Sequence, residues 1–125
     1  MPGTEGGGDR PSSVLSLTTE RSETRVLVTG VGQLDIATAP LLREELVDVF
    51  VRGAPAHLIV DLAGVEYADS TGLGVLVGAR RRVAAEGGRM SVVANDRVAR
   101  VMRLSGLDQL WRIVDDLNDT LDDEA

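Results

Sequence analysis

Alternating apolar and polar residues predict two strands near the start of the chain. In the first, Val14 to Thr19, leucines alternate with serine and threonine. In the second, Thr24 to Gly30, two valines point one way while leucine and threonine point the other. The polar stretch between them, Glu20 to Glu23, is short enough for a turn, so the two strands are predicted to form a hairpin.

Apolar residues then recur at helical spacing or in continuous runs. A first helix is expected from Thr38, which serves as the N-cap, to a stop at Gly53. The strand His57 to Leu62 has the apolar centre typical of a strand buried on both faces. The later predicted elements are a helix from Asp69 to about Ala85, a strand from Arg89 to Ala94, a helix capped by Asn95 or Asp96, and a strand from Trp111 to Val114.

This order, β-β-α-β-α-β-α-β-α, predicts an α/β fold with a mostly parallel mixed sheet of about five strands and about four helices. The last helix is expected in the C-terminal tail, where Leu117 and Leu121 share one face. Functional loops in such sheets lie at the carboxyl ends of the strands. Two loops meet this condition, Gly32 to Thr38 and Ala63 to Gly72.

Charge is concentrated at the C-terminal end of the chain. The net charge is −7, and six acids with no basic residue fall within the last eleven residues, which are expected to be solvated. An acidic chain is repelled by phosphate backbones, so no nucleic-acid partner is expected. Residues 1–12 are rich in glycine and are expected to be disordered, which leaves one domain over residues 13–122 and an acidic tail at 123–125. Without a signal peptide or a membrane-length apolar stretch, a soluble cytoplasmic protein with no membrane partner is expected.

The residue types that the sequence lacks exclude most catalytic chemistry. It has no cysteine and no lysine, and His57 is its single histidine. Thiolate, Schiff-base and multi-histidine metal sites are therefore excluded. A serine hydrolase would need Ser70 beside His57, but the strand between them predicts a separation of roughly 20 Å. We expect no enzyme activity, metal or cofactor, and we expect His57 to be a half-exposed residue at a strand edge.

The segment DSTGLG, Asp69 to Gly74, places two hydroxyl groups where a helix begins after a strand and a loop. One interpretation is capping alone, in which Asp69 or Ser70 accepts a hydrogen bond from an N–H of the first turn. The other is that Ser70 is an acceptor for phosphate, since free N–H groups and the helix dipole favour an anion at this position. The spacing of the residues leaves both interpretations open.

Two longer segments carry a family resemblance, LIVDLAGVEYADSTGLGVLVGARRRV at Leu58 to Val83 and GQLDIATAPLLREEL at Gly32 to Leu46. Together they resemble STAS domains, in particular the bacterial anti-sigma factor antagonists. The resemblance implies a non-catalytic switch, in which an anti-sigma factor with serine kinase activity phosphorylates Ser70 or, less well matched, Thr71. The unphosphorylated form would bind that anti-sigma factor and free a sigma factor, and a PP2C-type phosphatase would reset the phosphorylated form.

The resemblance also implies which residues contact the partner. Asp35 matches an acidic residue of the first loop and Thr38 a hydroxyl at the start of the first helix, whereas Gln33 stands where the family usually has Glu. The small, apolar first turn of the second helix is expected to be the docking surface, which a phosphate would block and repel. The expected partner-binding residues are Asp35, Thr38, Asp69, Ser70, Thr71, Gly72, Leu73 and Val75.

One alternative function stays open beside this switch. A STAS module can act only as a scaffold, in a stressosome-like or lipid-transport assembly, with no phosphate cycle. In either case a monomer or weak dimer is expected.

Overall fold

The computed structural model describes residues 13–124, and the side chains of residues 13–120. Five strands form one sheet in the order β1-β2-β3-β4-β5, with β1 antiparallel to β2 and every later neighbour parallel. The strands are β1 (Leu15–Arg21), β2 (Arg25–Leu34), β3 (His57–Ala68), β4 (Arg89–Ala94) and β5 (Arg112–Val114). The α-helices are α1 (Ala39–Val51), α2 (Ser70–Ala85) and α3 (Asp96–Leu104), and two 3-10 helices span Leu107–Gln109 and Leu117–Glu124.

The predicted α/β fold, its mixed sheet and its order of strands and helices are confirmed, with three α-helices in the described residues instead of about four. The predicted last helix is the 3-10 helix Leu117–Glu124. Aspartate, asparagine and threonine are weak α-helix formers, and acids near a helix C-terminus meet the negative end of its dipole. The expectation that the whole tail is solvated is also wrong at Thr120, which is fully buried. Leu121 lies outside the residues whose side chains are described.

The sheet has a helix-covered face and a second face. Strand residues such as Val28, Val60 and Val92 join the buried residues of the three α-helices in the main core. The intervening strand residues point the other way, because side chains alternate along a strand. A smaller cluster forms there from Ile59, Val93 and Val114, with Leu27 and Leu117 packed against it.

Two strands are longer than predicted, and the difference matters for the site. The predicted strands ended at Gly30 and Leu62, but β2 continues to Leu34 and β3 to Ala68. The two extensions pair with each other after shifts in register. Gly32 has a φ of +124°, and a Cβ there would lie 2.1 Å from the carbonyl oxygen of Val14, so the extension requires glycine at this position. The predicted loop Ala63 to Gly72 is therefore mostly strand, and the predicted loop Gly32 to Thr38 begins with three strand residues.

The expectation that His57 is half exposed is wrong, since it is 1% exposed. His57 begins β3, which lies between β2 and β4, and it pairs in register with Arg25 and Arg89. Its Nε2 lies 2.8 Å from Oγ of Ser91 on β4. The eleven residue steps from His57 to the end of β3 span roughly 36 Å, which separates the histidine from Ser70 more widely than the sequence indicated.

Candidate functional site

The N-terminus of α2 is capped by Asp69, and this leaves Ser70 without a structural role. Asp69 has extended backbone angles, and its Oδ1 accepts a 2.8 Å hydrogen bond from the N–H of Gly72. Ser70 is the first residue of the helix and is exposed. Among the described residues its hydroxyl has no hydrogen-bond partner. Because Asp69 provides the cap, the capping interpretation does not account for the serine.

Direct backbone contact seats the start of α2 on the end of β2. The N–H of Asp69 donates to the carbonyl oxygen of Leu34 over 3.1 Å. A Cβ built on Gly72 would lie 2.5 Å from the same oxygen, so a larger residue would push the helix away. Asp35 and Ser70 each directly follow one member of the bonded pair Leu34 and Asp69. The structure therefore brings the first loop and the start of α2 together.

The first loop is a tight turn organised by the carboxylate of Asp35. Its Oδ1 accepts hydrogen bonds from the N–H groups of Ala37, at 3.0 Å, and Thr38, at 3.1 Å. Its Oδ2 accepts a 2.6 Å hydrogen bond from the hydroxyl of Ser13. The Ser13 hydrogen bond is the main cause that lowers the pKa of Asp35, and the bonds from Thr38 and Ala37 act in the same direction against partial burial. The turn thus holds a fixed negative charge beside the start of α2.

Thr38 stabilises this turn from inside and is only 2% exposed. Its hydroxyl donates to the carbonyl oxygen of Gln33 over 2.8 Å and accepts from the N–H of Asp35 over 3.0 Å. The backbone angles of Thr38 are helical, and its side chain makes no capping bond to α1. Thr38 therefore shapes the loop and offers no exposed hydroxyl to a partner.

The predicted partner-binding residues differ in how far they are exposed. Ser70 and Thr71 are exposed, and Asp35 and Asp69 are half buried. Gly72 is buried, Leu73 is 0% exposed and Val75 is 8% exposed. The expectation that the apolar first turn of α2 forms the docking surface is therefore corrected. The side chains of Leu73 and Val75 face the main core, and Gly74, which is exposed between them, carries no side chain.

Residues 16–122 match the family model of the STAS domain. The chain belongs to the STAS domain family. The anti-sigma-B factor antagonist of Bacillus subtilis is 35% identical over 94 residues, which cover 74% of this chain and 84% of that protein. The anti-sigma-F factor antagonist RsfB of Mycobacterium tuberculosis is 32% identical over 112 residues, 89% of each chain. A crystal structure of an anti-sigma factor antagonist from Mycobacterium paratuberculosis superposes with a TM-score of 0.78 at 30% identity, over 86% of this chain and 92% of that one.

The rim of the site in this STAS domain carries exposed apolar side chains that the sequence reasoning missed. Ile36, next to Asp35, is 72% exposed, and Tyr67, two residues before Asp69, is 55% exposed. The sequence indicates Ile36 only weakly, because a single apolar residue in a loop is common on protein surfaces. The sequence pattern predicts a loop at Tyr67, whereas the residue lies on the extension of β3.

Gln33, at the position where the family usually has Glu, is hydrogen-bonded to an acidic side chain, that of Glu66. Its Nε2 donates to Oε1 of Glu66 over 3.2 Å, between the paired extensions of β2 and β3. A glutamate at position 33 would repel Glu66 at this distance, whereas the glutamine amide donates to it. The negative charge of this edge is therefore supplied by Glu66.

The described part of the STAS domain contains neither a metal-binding cluster nor a membrane-spanning helix. Residues 13–120 contain no group of three or more histidine, aspartate or glutamate side chains that could hold a metal ion. No α-helix among the described residues is long and apolar enough to span a bilayer.

Proposed function

We propose that this STAS domain is an anti-sigma factor antagonist whose binding is switched off by phosphorylation of Ser70. Two relatives that are named as anti-sigma factor antagonists are at least 32% identical to this chain over most of its length, which supports the general function. In the proposed cycle, the unphosphorylated protein binds an anti-sigma factor with serine kinase activity and so releases a sigma factor. A PP2C-type phosphatase removes the phosphate, and we place the cycle in the cytoplasm, where transcription is regulated.

The observation that carries the proposal is the exposed hydroxyl of Ser70 at the first position of α2. Asp69 already accepts the capping hydrogen bond, so modifying Ser70 removes no contact among the described residues. A phosphate at this position would meet the positive end of the helix dipole and the unsatisfied N–H groups of the first turn. The folded domain can therefore carry the phosphate without rearrangement.

The charges around Ser70 explain how one phosphate can release a partner. The phosphate adds about −1.5 to −2 charges at neutral pH. Asp35 and Asp69 make the region acidic already, so the modification extends a negative surface. An acidic group of the partner held about 4 Å from the phosphate would be repelled by several kcal/mol at an effective dielectric constant of about 20. Since about 1.4 kcal/mol is a tenfold change in affinity, a small interface would be released.

The docking surface that we propose is built from exposed side chains. It joins Ser70 and Thr71 to Ile36 in the first loop and Tyr67 at the end of β3. An apolar side chain beside a phosphorylatable hydroxyl suits reversible binding, because apolar contact supplies affinity and the charge controls it.

The test is to incubate the chain with Mg-ATP and the anti-sigma factor kinases of the same organism, one at a time, and to measure intact mass. We expect one added phosphate on the wild type and on Thr71→Ala, and none on Ser70→Ala. Thr71→Ala is the matched control, because the hydroxyl of Thr71 is exposed, lies next to Ser70 in the chain and takes no part in the capping bond. A phosphate that is added to Ser70→Ala but not to Thr71→Ala would assign the switch to Thr71. An unmodified wild-type chain that still binds a partner stably would favour the scaffold function.

A further inference from the structure

A groove with a largely apolar lining runs between α1 and α2. It has a volume of about 360 Å³, and residues of both helices line it. Leu46, Phe50 and Ala79 are buried residues of this lining, whereas Val47, which also lines the groove, is 48% exposed. We refer to this feature as the α1–α2 groove. Its exposed apolar surface is available for contact with another molecule.

Two residues of α2 keep the groove open. Gly74 and Gly78 line it and are exposed, and a Cβ on either would meet nothing within 4 Å. Glycine inside a helix weakens it, and no contact within the described domain requires the missing side chains. The open space lets the backbone of another segment approach α2 closely.

Two arginines place positive charge on the same groove. Arg43 on α1 and Arg82 on α2 both line it and are exposed. The guanidinium of Arg82 lies over the ring of Phe50, 4.8 Å from its centroid, so this charge is held beside apolar surface. Among the described residues neither arginine forms an ion pair. Apolar surface with positive charge beside it is complementary to an occupant that is both apolar and acidic.

The groove continues from the surface around Ser70. Gly74 and Gly78 follow Ser70 at intervals of four residues, so the three lie along one side of α2. α1 and α2 run in the same direction, because each connects two parallel strands. Arg43 and Gly74 lie in the first halves of their helices, so both mark the end of the groove that is nearer to Ser70.

We propose that the α1–α2 groove binds an amphipathic helix of the anti-sigma factor, with apolar side chains against Val47 and Phe50 and acidic side chains at Arg43 and Arg82. A helix suits this surface better than an extended segment, because a helix satisfies its own backbone hydrogen bonds where the groove is apolar. The inference rests on the proposed function and names the part of the partner that docks.

An acidic occupant accounts for the direction of the switch. Asp35 and Asp69 by themselves attract no acid to the surface around Ser70, whereas the two arginines recruit acids to the groove. The near end of the groove at Gly74 is roughly 6 Å along the helix axis from Ser70. This distance is within the screening length of about 8 Å at physiological salt. A phosphate on Ser70 therefore repels an acid that is held there.

Calorimetric titration of the unphosphorylated full-length chain with the anti-sigma factor that it binds tests the groove. Gly78→Leu fills the groove, so we expect binding to weaken at least about tenfold. Its Tm should not fall, because leucine is a better helix former than glycine and the Cβ meets no clash. The melting curve thus separates a blocked groove from a damaged fold.

The charges are tested by Arg43→Gln/Arg82→Gln. This variant should bind about three- to tenfold more weakly in 0.1 M NaCl, and its affinity should fall less steeply with salt than that of the wild type. Arg100→Gln is the matched control and should bind as the wild type does, because Arg100 is exposed on α3 and does not line the groove. A wild-type affinity that is independent of salt would contradict an acidic occupant.

Failure of the groove is distinguishable from failure of the switch. If Gly78→Leu and the double arginine variant bind as tightly as the wild type while phosphorylation of Ser70 still releases the partner, the groove inference alone is wrong. If both variants bind weakly but phosphorylation has no effect, the groove is supported and the switch is wrong. A wild-type chain that binds none of the anti-sigma factors of its organism would contradict both.

Sedimentation of the chain alone tests the other possible occupant, a second copy. We expect the wild type and Gly78→Leu to sediment alike. A dimer of the wild type that Gly78→Leu dissociates would assign the groove to contact between copies and would overturn the proposal.

Discussion

Replacing Gly72 by alanine would force a methyl group against the end of β2. The new Cβ would lie 2.5 Å from the carbonyl oxygen and 2.8 Å from the carbonyl carbon of Leu34. Both atoms belong to backbone that is tied to α2 by the hydrogen bond from Asp69, so neither side can give way easily. Gly74 is two residues further along the same helix, and a Cβ there would meet nothing within 4 Å.

The two substitutions should therefore change stability in opposite directions. Overpacking at Gly72 costs roughly 1–3 kcal/mol, and the better helix propensity of alanine returns about 1 kcal/mol at most. We expect a net loss of about 1–2 kcal/mol for Gly72→Ala, which corresponds to a fall in Tm of roughly 3–10 °C. Gly74→Ala has no clash, so it should gain about 0.5–1 kcal/mol from helix propensity alone.

Urea denaturation followed by far-UV circular dichroism measures both changes. The slopes of the transitions should match the wild type, so that the midpoints report stability directly. Gly72→Ala should also weaken the hydrogen bond from the N–H of Asp69 to the carbonyl oxygen of Leu34, while Gly74→Ala leaves this bond intact. If Gly72→Ala is as stable as Gly74→Ala, the close seating of α2 on Leu34 does not exist and the geometry of the site is wrong.

Three further substitutions test other contacts. Asp35→Asn should be less stable than the wild type at pH 7, as measured by urea denaturation. Hydrogen bonds lower the pKa of Asp35 in the folded chain, so the difference should vanish as pH falls from about 4 through that lowered pKa. Ser91→Ala removes the buried hydrogen bond to His57 and should cost about 1–2 kcal/mol, with phosphorylation of Ser70 unchanged. Asn95→Ala should cost about 2 kcal/mol, because Asn95 caps α3 and also donates to the carbonyl oxygens of Ala63 and Val65.

The sequence predicted the elements whose signal is local. The Thr38 start and the Gly53 stop identified α1, and the apolar run from His57 to Leu62 identified the first half of β3. The acceptor position at Ser70 came from the resemblance of the surrounding segment, and it remains a prediction. Each of these inferences needed only the periodicity or motif of a short stretch of chain.

What the sequence could not predict depends on contacts between distant segments. The extensions of β2 and β3 stabilise each other across more than thirty residues, and neither has a clear strand pattern alone. His57 is buried because β2 and β4 flank it. Leu73 and Val75 looked like a docking surface because the direction of a helix face is known only once the helix is packed.

The central claim is that one phosphate on Ser70 controls partner binding, and the most direct test is an affinity ratio. The chain would be phosphorylated enzymatically, purified in both states and titrated calorimetrically with the anti-sigma factor that it binds. The account predicts that the phosphorylated chain binds at least tenfold more weakly while its circular dichroism spectrum is unchanged. Equal affinity of the two states would contradict it, as would a loss of binding that is accompanied by unfolding.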